Sequence, residues 1–177
     1  MSFFRWYNKC LESRPILTKM ITSFITFGSG DLICQQIEKA KNKDKKYDIM
    51  RTIMQGSFGS IVTPYLHLQF CIIMPWLFRG KGTLNAVKSV AYDQLIGAPI
   101  FTSLFFIYLD MSQGKTFNKS VKELEKKLMP TLYMNWKIWP SLMFINFYFV
   151  PVAYRVLYSN IAGMFWSAYL SSAQNSI

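Results

Sequence analysis

Residues 139–158 read WPSLMFINFYFVPVAYRVLY, and their reading decides the fold. The stretch matches the ~20 residues a helix needs to cross the hydrocarbon core of a bilayer. It also holds Pro140, Asn146, Pro151 and Arg155, residues that break or burden a helix. A soluble core helix rarely combines such apolarity with such residues. In a membrane, prolines are tolerated where neighbouring helices or polar side chains satisfy the freed backbone groups. A charge at that depth costs roughly 2.5–3.5 kcal/mol on insertion scales, so it faces protein or a wet cavity, or snorkels to the interface. The stretch predicts a polytopic membrane protein with polar groups inside.

Four apolar segments follow from the same reading. They run over about 16–37, with Lys19 near one end and Asp31 inside; 53–78, with no Lys, Arg, Asp or Glu; 91–109, with Asp93 as its one charge; and 138–157, with Arg155. Each is near or above the spanning length. The second holds Pro64 and Pro75, both reasons for a kink. The expected fold is all-α: an integral membrane bundle of four proline-kinked transmembrane helices, forming a single polytopic domain over 1–177. Between the segments, 38–48 (EKAKNKDKKYD) reads as a Lys-rich loop and 79–83 (RGKGT) as a turn. In the third connector Val121, Leu124, Leu128 and Leu132 recur at helical spacing among lysines and glutamates. That pattern predicts a surface-lying amphipathic helix before the last span, interrupted or kinked near Pro130.

Charge is scarce and segregated. Charged residues make up 16% of the chain against roughly 25% in an average soluble domain. The net charge of +11 comes from Lys and Arg that punctuate bilayer-length segments, which fits headgroup contact and topology control and argues against a nucleic-acid partner. The first and third connectors hold most loop Lys and Arg, so the positive-inside rule puts them on the cytoplasm-like or matrix-like face. Arg5, Lys9, Glu12 and Arg14 interrupt any secretory apolar core before Pro15. The basic start reads as an interfacial helix leading into the first span, or as a mitochondrial presequence.

Enzyme chemistry finds no footing. His67 is the one histidine, and Cys10, Cys34 and Cys71 lack metal-ligand spacing. No catalytic residue, metal or cofactor is expected. The intramembrane polar set is the informative one: Asp31 and Gln35 four apart on one helix face, Thr63 and His67 likewise, Asp93 beside Gln94, and Asn146 and Arg155 in the last segment. These residues are candidate pore-lining or gating groups. The alternative is that they pair across helices, for example Asp31 or Asp93 with Arg155 or His67, and hold the bundle together. Gly28, Gly30, Gly56, Gly59 and Ser60 would let the first two helices approach closely under either reading.

The C-terminal block carries a resemblance. Trp136, Trp139, Pro140, Asn146, Phe147, Val150, Pro151 and Arg155 give WxxWPxxxxxNFxxVPxxxRV, and Trp166 with Tyr169, Leu170 and Ser171 gives WxxYLS. Upstream stand WYxxxLxxxP from Trp6, GDxxxQ from Gly30, DxxRxxxxG from Asp48, and DQxxxxP from Asp93. Together they resemble the family of the 22-kilodalton peroxisomal membrane protein and its mitochondrial inner-membrane relatives, the Mpv-seventeen family, over nearly the whole chain. Three positions depart from the pattern: LQF follows His67 where an aromatic pair is usual, Met143 replaces a glutamine, and Ser167 an asparagine.

The resemblance implies a four-span helical protein of an organelle membrane and does not separate peroxisome from mitochondrion; the mitochondrial inner membrane is expected ahead of the peroxisomal membrane. It also implies a weakly selective channel for small solutes; the expected partners are membrane lipids, small metabolites or ions, and a homo-oligomer or larger membrane complex. A non-conducting structural or interaction protein is the alternative. Trp136, Trp139 and Trp166 are expected at the bilayer interfaces.

Overall fold

The computed structural model describes residues 3–44, 46–80 and 82–174, with side chains described within 5–166 of these. Among the described residues all regular structure is helical. The order is α1 (Phe3–Ser13), α2 (Pro15–Lys41), α3 (Ile49–His67), a π-helical turn (Leu68–Ile73), α4 (Met74–Leu77), α5 (Thr83–Tyr92), a second π-helical turn (Asp93–Gly97), α6 (Ala98–Ser112), α7 (Phe117–Phe149), a 3₁₀ turn (Val152–Tyr154) and α8 (Arg155–Gln174). The chain divides into two compact units: Met1–His67 with Val156–Ile177, and Leu68–Arg155.

The first unit is organised by α2 and α3. Pro15 opens α2 at its first turn, where a missing N–H is harmless, and holds Arg14 out of the helical region (φ −143°, ψ 72°). That break lets α1 fold back, and its Tyr7 and Leu11, four apart, are buried. The Tyr7 hydroxyl lies 3.3 Å from Thr22 Oγ1 of α2. Along the α2–α3 seam, glycine sets the approach. A Cβ on Gly56 would stand 3.0 Å from the Phe24 carbonyl; one on Gly59 would stand 2.7 Å from the Phe27 ring and 2.8 Å from the Ser23 carbonyl. Phe27 then meets Phe58 edge-on at 6.0 Å, and Gly30 lies under Met164 of α8.

In the second unit, α5, the π turn and α6 form one helical run, Thr83–Ser112, and α7 packs against both α5 and α6. The reversal is a Schellman motif: Gly114 at φ 83° donates to the Met111 carbonyl at 3.0 Å, and Lys115 N–H to the Asp110 carbonyl at 3.1 Å. Each π turn lies just before a proline, Pro75 and Pro99. A proline leaves the carbonyl four residues back without its helical donor, and a widened turn accommodates that gap.

Two helical runs among the described residues are long and apolar enough to cross a membrane: Ile49–Leu77, 29 residues, and Thr83–Ser112, 30 residues. They match the predicted second and third segments. The predicted first segment lies in α2, where Thr18, Lys19, Thr22, Ser23, Thr26, Ser29 and Asp31 dilute the apolar pattern. The predicted fourth, 138–157, is not one helix. It breaks at Val150, held extended (φ −85°, ψ 126°) by Pro151, and the chain resumes as α8. Conversely, the amphipathic helix expected before it is fused to it. The 33 residues of α7 continue through Pro130 and Pro140, since packing along α5 and α6 outweighs the local loss of two N–H donors.

Polarity is inverted between inside and outside. Thr63 and Asn146 are fully buried at 0% exposure, while Ile61 is 63% and Leu95 69% exposed. Substituting Gly59 by Leu is expected to destabilise the chain by about 1–3 kcal/mol through overpacking against Phe27 and the α2 backbone. Gly28→Ala, whose Cβ would meet only Thr52 at 3.8 Å, is expected to be tolerated. Thermal unfolding in detergent compares the two; equal melting temperatures for Gly59→Leu and the unsubstituted chain would refute the seam.

Candidate functional site

The two π turns meet side chain to side chain. Gln69, from the first, donates from Nε2 to Asp93 Oδ1 at 2.8 Å; Gln94 donates to Asp93 Oδ2 at 2.8 Å. All three are buried. Gly97 makes the reach possible, because a Cβ there would stand 2.0 Å from Gln69 Nε2. The Trp136 indole N–H donates to the Gln94 carbonyl at 3.2 Å, so this tryptophan holds the π turn. Among the described residues the amide oxygens of Gln69 and Gln94 have no hydrogen-bond partner, nor do Thr102 Oγ1 and Asp110 Oδ2 further along α6. The residues that Thr83–Ser112 buries are Ala86, Ser89, Asp93, Gln94, Gly97, Thr102 and Asp110. Every one is small or polar. Leu84, Leu95, Ile100 and Leu104 of this run point outward, and Phe101, Phe105 and Phe106 are half-buried.

A second cluster ties α2 to the start of α3. Asp31 pairs with Arg51 (Oδ1–Nε 2.7 Å) and accepts from Gln35 Nε2 and Thr52 Oγ1, each at 2.7 Å. Arg51 also holds Glu38 with both terminal nitrogens, at 3.0 and 3.1 Å. Gln35 bonds both backbone groups of Asp48, at 2.8 and 2.7 Å, and Asp48 Oδ1 caps the Arg51 N–H at 2.9 Å. The loop after α2 is thereby pinned at both ends.

His67 faces Lys19. The ammonium donates to His67 Nδ1 at 3.0 Å, which makes that nitrogen the acceptor and leaves the ring proton on Nε2. One turn along, Ser23 Oγ accepts from Thr63 Oγ1 at 2.7 Å and from Asn160 Nδ2 at 2.6 Å, so α8 joins the seam.

Asn146 and Arg155 finish α7. Arg155 donates to the carbonyls of Phe147 (3.2 Å), Val150 (3.4 Å) and Phe70 (3.4 Å), and its guanidinium lies 5.5 Å from the Phe147 ring centroid. Asn146 Nδ2 reaches the Arg155 carbonyl at 3.2 Å and the Met143 sulfur at 3.6 Å. The arginine in the apolar segment thus binds carbonyls released where a helix stops and where a π turn opens. Beyond the apolar runs, Lys115 links Asp110 (2.8 Å) and Glu123 (2.5 Å) at the α6–α7 reversal. The bonds to Asp110 and Glu123 raise the Lys115 pKa, and the Lys115 bond lowers that of Glu123.

The predicted polar residues are therefore brought together in pairs. Asp31 joins Gln35, Asp93 joins Gln94, and Asn146 joins Arg155. Their partners differ from the expected ones: Asp31 is held by Arg51, Asp93 by two amides, and His67 by Lys19. Of the motif residues, Phe147 is buried, Trp139 and Trp166 are half-buried, and Pro140 lies inside α7. The side chains of Ser167, Tyr169, Leu170 and Ser171 lie outside the described residues. Gln69 and Arg51 were missed as site residues. The departure LQF after His67 was the signal for Gln69, and the DxxR spacing, which puts Arg51 one turn past Asp48, was the signal for Arg51.

The chain is similar to known proteins over nearly its whole length. The model of the Mpv17 / PMP22 family matches residues 111–171. The chain is 32% identical to Peroxisomal membrane protein 2 of Bos taurus, over 94% of this chain and 86% of that one. It is 35% identical to Protein SYM1 of Gibberella zeae, over 96% of each. With PXMP2/4 family protein 4 of Dictyostelium discoideum it shares 31% identity, over 96% of this chain and 92% of the relative. No solved structure matches the chain.

Removing Arg51 leaves Asp31 buried beside only neutral donors. Arg51→Gln is expected to destabilise by about 1–3 kcal/mol, below the 3–5 of a fully buried pair because Arg51 is one-third exposed. The double variant Arg51→Gln, Asp31→Asn should recover part of that loss in thermal unfolding. A double variant no more stable than Arg51→Gln alone would contradict the pairing.

Proposed function

The chain belongs to the Mpv17 / PMP22 family, and we propose that it is a weakly selective channel for small solutes in an organelle membrane. The supporting observation is the buried stripe of the Thr83–Ser112 run. In a helix among the most apolar in the chain, the residues that are fully buried, from Ala86 to Asp110, are small or polar, while Phe101, Phe105 and Phe106 are half-buried. The unpartnered oxygens of Gln94, Thr102 and Asp110 extend along it over about 24 Å at 1.5 Å per residue, close to the ~30 Å of a hydrocarbon core. Unmet acceptors are costly in a dry interior, whereas a file of water meets them. Asp93 is the one carboxylate flanked by amides on this stripe, and it biases conduction toward cations.

In this reading α2 and α7 complete four spans with the two apolar runs. Lys19 and Asp31 enter the membrane paired with His67 and Arg51, and the Lys-rich connectors lie on the matrix-like side. Asp31 and Gln35 brace the first unit and Asn146 and Arg155 the second, while Asp93, Gln94 and Gln69 line the path. We assign the mitochondrial inner membrane on the basic, amphipathic α1, whose Arg5 and Lys9 face outward while Tyr7 and Leu11 are buried. The second reading, a non-conducting structural protein, draws on the hydrogen bonds that already hold Asp93 and Asp31.

Currents from the purified chain in planar bilayers separate the two. The channel reading expects discrete openings, a cation preference reduced in Asp93→Asn, and a preference kept in Asp31→Asn. Silent bilayers from correctly folded protein would establish the structural reading instead. Fractionation of a tagged chain with peroxisomes would overturn the inner-membrane assignment.

A further inference from the structure

We propose that the end of α2 carries a binding site for the phosphate headgroup of an anionic membrane lipid; this rests on the membrane reading above. A surface groove of about 280 Å³ is lined by Gln36, Lys39, Ala40 and Lys43. Both lysines, Lys39 in the last turn of α2 and Lys43 just past its end, line it. Tyr47 holds two of the lining side chains: its hydroxyl bonds Gln36 Oε1, and its ring lies 4.6 Å from Lys39 Nζ.

Local charge favours an anion. Glu38 is held by both terminal nitrogens of Arg51, and Asp48 caps the Arg51 N–H, so both acids are turned to α3. Asp44 is the remaining acid of the loop and is exposed beside Lys43. The last turn of α2 carries Lys39 and Lys41, which outweigh the half-unit negative charge of the helix end.

The position of the groove selects a lipid over a free anion. Within two residues of Tyr47 the chain enters the apolar run Ile49–Leu77, and Ile49, Met50 and Ile53 are exposed at its start. A basic groove with polar donors, bordered by exposed aliphatic side chains, holds a phosphate while acyl chains lie along the helix. Membrane-facing basic clusters recognise anionic headgroups in this way.

The test is native mass spectrometry and lipid titration of the full chain in detergent, with dioleoyl phosphatidylglycerol and dioleoyl phosphatidylcholine as probes. Phosphatidylglycerol is expected to bind in preference. Lys39→Gln with Lys43→Gln should weaken it roughly 30-fold, the equivalent of about 1 kcal/mol per lysine at 1.4 kcal/mol per tenfold. Lys119→Gln with Lys122→Gln, on exposed positions of α7, should leave it within a few-fold. Unchanged affinity in the Lys39 and Lys43 variant would overturn the proposal, as would an equal loss in the Lys119 and Lys122 variant. Displacement of the lipid by equimolar inorganic phosphate would assign the groove to free anions. Flotation with phosphatidylcholine vesicles is the separate readout of membrane residence: a chain that fails to float sinks the membrane premise, and silent planar bilayers with intact lipid binding sink the channel alone.

Discussion

Hydrocarbon offers no hydrogen bonds, and the interior of this chain is arranged around that fact. A polar group facing lipid costs several kcal/mol, so polar side chains must turn inward and find each other. Ser23, Thr63, Asp31, Gln35, Asp93 and Asn146 are buried, while isoleucines and leucines cover the outside. Inside each unit, a charge meets a specific partner: Arg51 for Asp31, amides for Asp93, backbone carbonyls for Arg155. Water would weaken the need for such pairing, and a soluble fold would place these residues on its surface.

Close helix approach is what makes the pairing possible. Gly56 and Gly59 bring α3 onto the backbone of α2, and only then do Thr63 and His67 come within bonding distance of Ser23 and Lys19. Gly97 has the same effect in the second unit, clearing the space through which Gln69 reaches Asp93. The π turns before Pro75 and Pro99 rotate Gln69 and Asp93 inward together. Proline at these points loosens the helical ladder where a polar contact is made, and the chain keeps its helix on either side.

Much of this was legible from residue order. The i, i+4 spacing of Asp31 and Gln35 placed them on one face, Pro151 marked the stop of α7, and the small residues marked the seam. What escaped the sequence has a common cause: it depends on contacts between distant positions. Arg51 lies twenty residues past Asp31, beyond a loop whose path no local pattern dictates. The helix α7 survives Pro130 and Pro140 because α5 and α6 support it along its length, which propensity alone argues against. The break at Val150 likewise converts one apolar segment into the ends of two helices, since hydropathy averages across a proline that the backbone cannot ignore.

The central claim is that the inner stripe of Thr83–Ser112 is wet and its outer face touches lipid. Spin labels at Thr102→Cys and Leu104→Cys in reconstituted vesicles test it through collision with a water-soluble nickel chelate and with lipid-soluble oxygen. The account predicts nickel access at position 102 and oxygen access at position 104. Nickel access at 104 with a dry, oxygen-poor 102 would contradict it.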